Sequence, residues 1–278
     1  MSSVPSSTEA HGPSVNGPPS GSVSFDRAAE YYDRTRTLPA DAAEAVTRIL
    51  AAELRGRGPA LEVGVGTGRI AVPLSRAGIP MTGVDLSAPM LRKLAQNAGG
   101  TSPFPVVQAD ATAMPFRPGS FGAALACHVL HLIPRWPEAL AAMARAVRSG
   151  GVVLIDPGAQ DAGWWSEVQD EFGRAAGVDP KERFVGTHDP REIDAAMAAL
   201  GAKVRLLQPV LCHDTESIEE VIGKLEEGLY SWTWRMDDSR RTRAAEATRR
   251  WAAGAMGDLD QPREGRWEIT WRAYDIPS

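Results

Sequence analysis

The segment that most constrains the fold is 61–71, where apolar residues lead into Gly64, Gly66 and Gly68 and an apolar helical pattern follows. This order predicts a strand, a tight turn and a helix. Glycine permits the positive φ angles of a sharp turn and leaves no Cβ between the backbone and a ligand. A helix that begins near Arg69 would direct its free backbone N–H groups toward the space above the turn. The segment therefore predicts an α/β fold with a ligand site at the glycine turn.

The spacing of these glycines distinguishes two kinds of nucleotide-binding turn. The sequence reads Gly-x-Gly-x-Gly with Glu62 two residues before the first glycine, whereas dinucleotide enzymes use Gly-x-Gly-x-x-Gly. The pattern resembles motif I of the class I methyltransferases that use S-adenosylmethionine. A glycine run alone is also compatible with a simple tight β–α connection, so the interpretation depends on the segments that follow.

Two later segments support the same resemblance. Asp85 ends a predicted short strand 17 residues after Gly68, where an acid binds the two ribose hydroxyls in α/β nucleotide folds. Residues 85–91 are similar to the family's Asp-x-Ser-x-x-Met-Leu, and 106–116 to its strand 3 followed by Asp-Ala-x-x-Leu-Pro-Phe. The resemblance implies that Asp110 accepts from the adenine amino group and that the backbone N–H of Ala111 donates to the ring.

The segment 25–33 resembles the short N-terminal helix that closes over the cofactor in many small-molecule methyltransferases. The resemblance places Tyr32 and Arg36 near the methionine end, although Tyr31 and Tyr32 are equally compatible with packing roles. It also makes Leu86 and Met114 apolar faces for the purine. The cofactor-binding residues that it implies are Tyr32, Arg36, Glu62, Gly64, Gly66, Gly68, Asp85, Leu86, Met90, Asp110, Ala111, Met114 and His128.

Two histidines, His128 and His131, follow the predicted fourth strand, 121–126. Active sites of open α/β sheets lie outside the carboxyl ends of the strands, and histidine has a suitable pKa for a general base. We expect His131 to be the first candidate for a base and His128 to lie along the methionine moiety. The expected reaction is an in-line SN2 displacement that depends mainly on alignment. Asp156 alone does not supply a carboxylate cluster, so no metal is predicted.

The predicted architecture is a Rossmann-like, mostly parallel seven-stranded sheet with an antiparallel strand 7 and helices on both faces. We expect a disordered tail over 1–24, a methyltransferase domain over 25–278 with its cofactor-binding core at 57–156, and a helical cap from about 160–185 and 214–256. A strand is predicted over 203–211, a long helical stretch over 217–254 and a final strand over 267–274.

Seven of the eight tryptophans lie after residue 160, outside the cofactor half. Aromatic side chains build apolar ligand pockets and attract a sulfonium cation through their π faces. Trp164, Trp165, Trp232 and Trp234 are therefore predicted to line a pocket in the cap for a small hydrophobic or aromatic acceptor. Ordinary core packing is the alternative for each of them.

Composition excludes several other classes of function. A net charge of −5 argues against a nucleic-acid surface, and no apolar run approaches the roughly 20 residues of a membrane span. Only Cys127 and Cys212 are present, which indicates a cytoplasmic protein without a disulfide framework. The alternatives that remain are a protein that binds S-adenosylmethionine without transferring methyl groups and a nicotinamide-dependent oxidoreductase. The oligomeric state is not predicted.

Overall fold

The computed structural model describes residues 21–36, 38–158 and 163–278. The helices are α1 (Tyr32–Arg36), α2 (Ala40–Leu54), α3 (Ala71–Arg76), α4 (Ala88–Asn97), α5 (Trp136–Ala146), α6 (Trp164–Ala175), α7 (Pro190–Ala199), α8 (Ile218–Glu226) and α9 (Asp238–Ala255). The strands are β1 (Ala60–Val63), β2 (Met81–Asp85), β3 (Val106–Gln108), β4 (Phe121–Cys127), β5 (Val147–Asp156), β6 (Lys203–Leu206), β7 (Val210–Glu216), β8 (Arg263–Ile269) and β9 (Arg272–Asp275).

Seven strands form one sheet in the order β3-β2-β1-β4-β5-β9-β6. The pairs from β3 to β5 are parallel, and β9 is antiparallel to both β5 and β6. This confirms the predicted Rossmann-like sheet with an antiparallel last strand. The carboxyl ends of β1, β2, β4 and β5 meet at one edge of the sheet, where ligands bind in open α/β folds.

Apolar side chains on the two faces of the sheet face different helices. Leu125 of β4 belongs to a core that includes Leu50 of α2, whereas the neighbouring Ala126 belongs to a core that includes Met143 of α5. Successive residues of a strand point to opposite faces, so β4 is buried throughout because helices cover both sides of it.

Both late strand predictions were wrong in extent. The strand predicted over 203–211 divides at Pro209 into β6 and β7, because proline has no N–H to donate to a ladder. The strand predicted over 267–274 likewise divides into β8 and β9. β7 and β8 pair with each other in a separate antiparallel sheet, from Val210↔Ile269 to Glu216↔Arg263.

Several helix boundaries also differ from prediction. The helix expected to begin near Arg69 is α3, which begins two residues later and covers Ala71–Arg76. The stretch predicted over 217–254 contains two helices: Gly228, with φ 74°, follows the end of α8, and the Asp237 side chain caps the start of α9.

The cap is a cluster of three helices, α6, α8 and α9, with its own apolar core. Phe172, Val221 and Ala245 are completely buried in that core. The cap also contacts the N-terminal segment, since the rings of Phe25 and Trp234 lie 4.7 Å apart. The helices therefore support the residues that border the sheet edge. In the described ranges, no helix combines the length and apolar character that crossing a bilayer requires.

Gly122 provides a test of how closely β4 approaches the segment before β1. Its N–H donates to Pro59 O at 2.8 Å, and a Cβ at this position would lie 1.6 Å from Arg57 O. We expect Gly122→Ala to lower the free energy of unfolding by about 3 kcal/mol or more in urea titrations, because backbone must move to relieve the overlap.

Gly223→Ala is the matched control for this substitution. A Cβ at Gly223 in α8 would meet no atom within 4 Å, so the free energy of unfolding should be unchanged or rise by up to about 1 kcal/mol. Equal unfolding midpoints for the two variants would contradict the described close approach.

Candidate functional site

The glycine turn joins β1 to α3 in a conformation that requires glycine. Gly64 and Gly66 have φ angles of 71° and 53°, and a Cβ on Gly64 would lie 2.6 Å from Val129 Cγ2. The N–H groups of Gly64 and Val65 both donate to Val84 O, at 2.8 and 3.0 Å. These contacts hold the turn against β2, so its backbone forms one wall of the space beyond the strand ends.

A cleft of about 660 Å³, including the solvent at its mouth, lies over this turn. It extends along the ends of β1, β2 and β4 and is bordered on another side by residues 22–25. The sequence-predicted residues that line it are Tyr32, Gly64, Gly66, Asp85, Leu86, Met90, Asp110, Ala111 and His128.

Residues 21–24 belong to the predicted tail, whose residues 1–20 lie outside the described ranges. Val23 N–H donates to Leu132 O at 2.9 Å, and Ser22, Val23 and Ser24 border the cleft. This contact was not predicted, because the Ser- and Gly-rich composition of the segment carries no periodic signal.

Asp85 connects the glycine turn to the segment that begins α4. Its Oδ2 accepts from Gly66 N–H and its Oδ1 from Ser87 N–H, both at 2.8 Å. Burial raises the pKa of Asp85, and these two bonds oppose the rise without cancelling it. Each carboxylate oxygen can accept a further bond, so the side chain can still bind a pair of hydroxyl groups.

Asp110 combines a local structural role with a position on the cleft. Its Oδ1 accepts from the backbone N–H of Thr112 at 2.8 Å and from its hydroxyl at 2.7 Å, which caps a short 3-10 turn. Asp110 and Ala111 both line the cleft. The capping role considered from the sequence therefore does not remove Asp110 from the candidate site.

Four predicted cofactor residues do not line the cleft: Arg36, Glu62, Gly68 and Met114. The Arg36 guanidinium lies 5.0 Å from the centre of the Tyr230 ring, and Met114 is buried in the core beneath α5. Burial raises the pKa of Glu62 to about 8, so this carboxyl is largely protonated at neutral pH. Glu62 Oε2 has no hydrogen-bond partner among the described residues.

His128 and Asp156 are paired where β4 and β5 end. His128 Nε2 lies 3.2 Å from Asp156 Oδ2, and the backbone N–H of His128 donates to Asp156 O at 3.0 Å. His128 has a φ of 52°, an uncommon conformation for a residue with a side chain. Burial acts to raise the pKa of Asp156, but the adjacent His128 and the Gly158 N–H bring it below its usual value. Asp156 is therefore ionised at neutral pH.

Cys127 and Arg69 complete this cluster. Burial raises the pKa of Cys127 well above its usual value, so the residue is a neutral thiol. Arg69 Nη2 lies 3.3 Å from Cys127 Sγ. Ligand atoms of Cys127, His128 and Asp156 lie within 4.8 Å of one another, a set suited to a divalent metal, but the neighbouring guanidinium charge opposes a cation there.

A second cleft, of about 310 Å³ including the solvent at its mouth, shares Cys127 and His128 with the first. Its polar lining is Arg69, His128 and Asp156. The apolar lining comes from α2 and the segment before it, the residue before α3, the end of β8 and the loop after β8: Leu38, Val46, Ile70, Trp267, Ile269 and Trp271. This cleft was not predicted from the sequence, because parts of β7 and β8 were expected to belong to other strands.

His131 lies behind the wall of the cofactor cleft and lines neither of these two clefts. Its ring makes an edge contact with Phe184 at 5.2 Å, and its carbonyl oxygen accepts from Gly186 N–H. Burial is the largest cause that lowers its pKa to about 3, and the proximity of His128, His188 and Arg36 lowers it further. His131 is therefore a neutral side chain at physiological pH.

The four tryptophans predicted to bind the acceptor line neither cleft. Trp232 is only 6% exposed and donates to Gln169 Oε1, and Trp165 packs edge-on against Tyr230. Trp164 Nε1 donates to Glu264 O, and Trp234 Nε1 donates to Gly228 O. These contacts are those of side chains packed within the cap and against its neighbours.

Comparisons with known proteins agree with this geometry. A methyltransferase domain model matches residues 61–155. The chain is 32% identical over 160 residues to a phosphatidylethanolamine N-methyltransferase of Cereibacter sphaeroides. The match covers 56% of this chain and 75% of the relative. It is 32% identical over 134 residues to a demethylmenaquinone methyltransferase of Streptomyces avermitilis, covering 47% of this chain and 57% of the relative.

The fold also matches a solved structure. The YcgJ protein of Bacillus subtilis superposes with a TM-score of 0.57 at 18% identity, over 86% of this chain and 100% of that chain. At this level of identity the likeness concerns the fold, which is the sheet and helix arrangement described above.

The low pKa of His131 makes stability depend on pH. Its folded-state value of about 3 lies below the usual 6.5, so stabilisation present above pH 6.5 is lost as the pH falls toward 3. We expect His131→Gln to reduce the slope of unfolding free energy against pH by about 1.4 kcal/mol per pH unit near pH 5.

Urea titrations at a series of pH values measure this slope. His213→Gln is the control, because His213 is exposed on β7 and the substitution is the same. The description of His131 as a neutral, partly buried side chain is wrong if both variants keep the wild-type slope.

Proposed function

Because the chain belongs to the class I methyltransferases that use S-adenosylmethionine, we propose that it methylates an oxygen or nitrogen of a small hydrophobic or aromatic acceptor. The observation that carries this proposal is that His128 lines both clefts and is paired with Asp156, which lines the second. One cleft has the features of a cofactor site, and the other is a separate, mostly apolar space beside it.

The residues around the larger cleft fit S-adenosylmethionine. The glycine turn leaves space that a Cβ would fill, the Asp85 carboxylate can accept two hydroxyl bonds, and Asp110 with Ala111 offers an acceptor beside a backbone N–H. The buried Glu62 Oε2 is an unsatisfied polar atom at the end of β1 beside the turn. When bound, the cofactor supplies an electrophilic methyl group on a sulfonium, which leaves as S-adenosylhomocysteine.

In this proposal His128 accepts the proton of the acceptor hydroxyl or ammonium group. Asp156, held ionised, orients the imidazole and stabilises the positive charge that His128 acquires. The backbone N–H of His128 also donates to Asp156 O, so a backbone bond and a side-chain contact both hold the two residues together. The side chain of His128 is 30% exposed, so a ligand in either cleft can reach it.

His131 was the first candidate for this base, and its surroundings make it the weaker one. A pKa of about 3 makes its neutral form a poor proton acceptor at physiological pH, and its ring packs against Phe184. The four cap tryptophans are likewise weaker candidates for acceptor binding than the residues of the second cleft.

The names of the two relatives specify different acceptors, phosphatidylethanolamine and demethylmenaquinone. The acceptor of this chain is therefore argued from its own clefts. A member of the fold that binds the cofactor without transferring methyl groups is the alternative function, since a fold does not determine chemistry. The paired, partly accessible His128 favours catalysis.

The cofactor assignment predicts the effect of a single carboxylate. We expect Asp85→Asn to weaken S-adenosylhomocysteine binding roughly 10- to 100-fold in calorimetric titrations, since a hydrogen bond to a charged group contributes about 1.5–3 kcal/mol. Asp214→Asn, an exposed site on β7, should bind like the wild type. Unchanged affinity in Asp85→Asn would remove Asp85 from the cofactor site, and tighter binding of NAD than of S-adenosylhomocysteine would reject the cofactor assignment.

The base assignment is tested with His128→Asn and His131→Asn. Asparagine tolerates the positive φ at position 128, so the first substitution removes the imidazole with little backbone strain. With one- and two-ring phenols and amines as acceptors, we expect His128→Asn to lower the rate of S-adenosylhomocysteine formation about 10²- to 10⁴-fold. S-adenosylhomocysteine affinity should stay within threefold of the wild type. A comparable loss in His131→Asn alone would reverse the assignment.

A further inference from the structure

A buried donor with no acceptor among the described residues belongs to a side chain that lines the second cleft. Trp271 is 2% exposed and lines this cleft, and its Nε1–H has no hydrogen-bond partner within the described ranges. Buried polar groups are almost always paired, by the protein itself, by water or by a ligand. The orphan donor therefore leaves room for one acceptor atom, which a water or a ligand in this cleft can supply.

The cap tryptophans provide the contrast. The indole N–H groups of Trp164, Trp232 and Trp234 already donate to Glu264 O, Gln169 Oε1 and Gly228 O. Those rings are satisfied by the folded chain and have no need of a ligand. Trp271 differs from them in two ways. It lines the second cleft, and its indole N–H has no acceptor among the described residues.

The remaining walls of the cleft define the shape and charge of a suitable ligand. Val46 and Ile269 are buried aliphatic residues, and Trp267 is a second indole in the lining of the cleft. Flat aromatic surfaces favour planar ligands. Arg69 and Asp156 carry opposite charges at the polar end, so the cleft has no excess charge to attract an ion. With the open solvent included, the cleft measures about 310 Å³ against about 660 Å³ for the cofactor cleft, so it suits a ligand smaller than the cofactor.

We propose that this second cleft binds the methyl acceptor, and that the acceptor is a neutral, planar, apolar molecule of one or two rings. Besides the atom that is methylated, it carries an oxygen that accepts the Trp271 Nε1–H bond. This inference rests on the proposed function, because His128 connects the cleft to the cofactor site. The acceptor atom lies at the His128–Asp156 end and the second oxygen at the Trp271 end.

Two related phenols test the hydrogen bond. 7-Hydroxycoumarin and 2-naphthol are both planar two-ring phenols, but only the coumarin has a ring carbonyl. Calorimetric titration into protein saturated with S-adenosylhomocysteine, at a pH below the pKa of both phenols, gives the two affinities. We expect the wild type to bind 7-hydroxycoumarin about three- to tenfold more tightly than 2-naphthol, the contribution of one hydrogen bond.

Trp271→Phe keeps an aromatic wall and removes the N–H. In this variant the preference for 7-hydroxycoumarin should disappear, since the ratio of the two affinities reports the hydrogen bond and not general packing. A preference that persists in Trp271→Phe overturns the proposal. Failure of both phenols to bind the wild-type protein also overturns it.

Leu38→Trp provides a second test that does not alter Trp271. Leu38 lines the cleft, so the larger side chain should fill it and weaken both phenols at least tenfold. Leu211→Trp is the matched control, because Leu211 is 68% exposed on β7 and lines neither described cleft. Equal phenol binding by these two variants would place the phenols outside the second cleft.

Titration of S-adenosylhomocysteine alone separates the two proposals. If S-adenosylhomocysteine does not bind the wild-type protein, the cofactor site is rejected, and the proposed function with it. Normal binding of S-adenosylhomocysteine together with absent phenol binding would reject only the assignment of the second cleft.

Discussion

The hydrogen bonds of Asp85 are the interaction on which the cofactor cleft depends. One carboxylate oxygen holds the N–H of Gly66 and the other that of Ser87, so the end of β2 connects the glycine turn with the start of α4. Ser87 in turn caps α4 through a bond from Met90 N–H. The Asp85 carboxylate therefore holds both the glycine turn and the start of α4 in place. Its remaining lone pairs can accept further bonds.

Two further strands of the sheet, β4 and β5, position the His128–Asp156 pair. Parallel pairing of β4 and β5 brings Cys127 opposite Asp156, and the next residue, His128, turns back with a positive φ to meet that carboxylate. The backbone and side-chain contacts between His128 and Asp156 reinforce each other, which compensates for the uncommon backbone conformation. The imidazole is thereby held where the two clefts meet.

Local motifs explain why much of the cofactor cleft was predictable. Gly64, Gly66, Asp85 and Asp110 each follow a strand, and their spacing reflects short strand–turn–helix units whose geometry depends on adjacent residues. The seven-stranded sheet followed from the same units. Met114 and Arg36 lie close in sequence to cleft residues but do not line the cleft, since Met114 is buried in the core and Arg36 lies over the Tyr230 ring. Sequence proximity does not determine the direction of a side chain.

The amino-acid sequence alone determined the fold class, the glycine turn and the placing of Asp85 and Asp110 at strand ends, because these depend on patterns within about 50 residues of one another. Only the tertiary structure distinguished His128 from His131, since their difference arises from Asp156 on one side and Phe184 on the other. It also revealed the second cleft, where Val46 of α2 meets Trp271 from the far end of the chain. Such a contact depends on the pairing of β7 with β8, which no local pattern encodes.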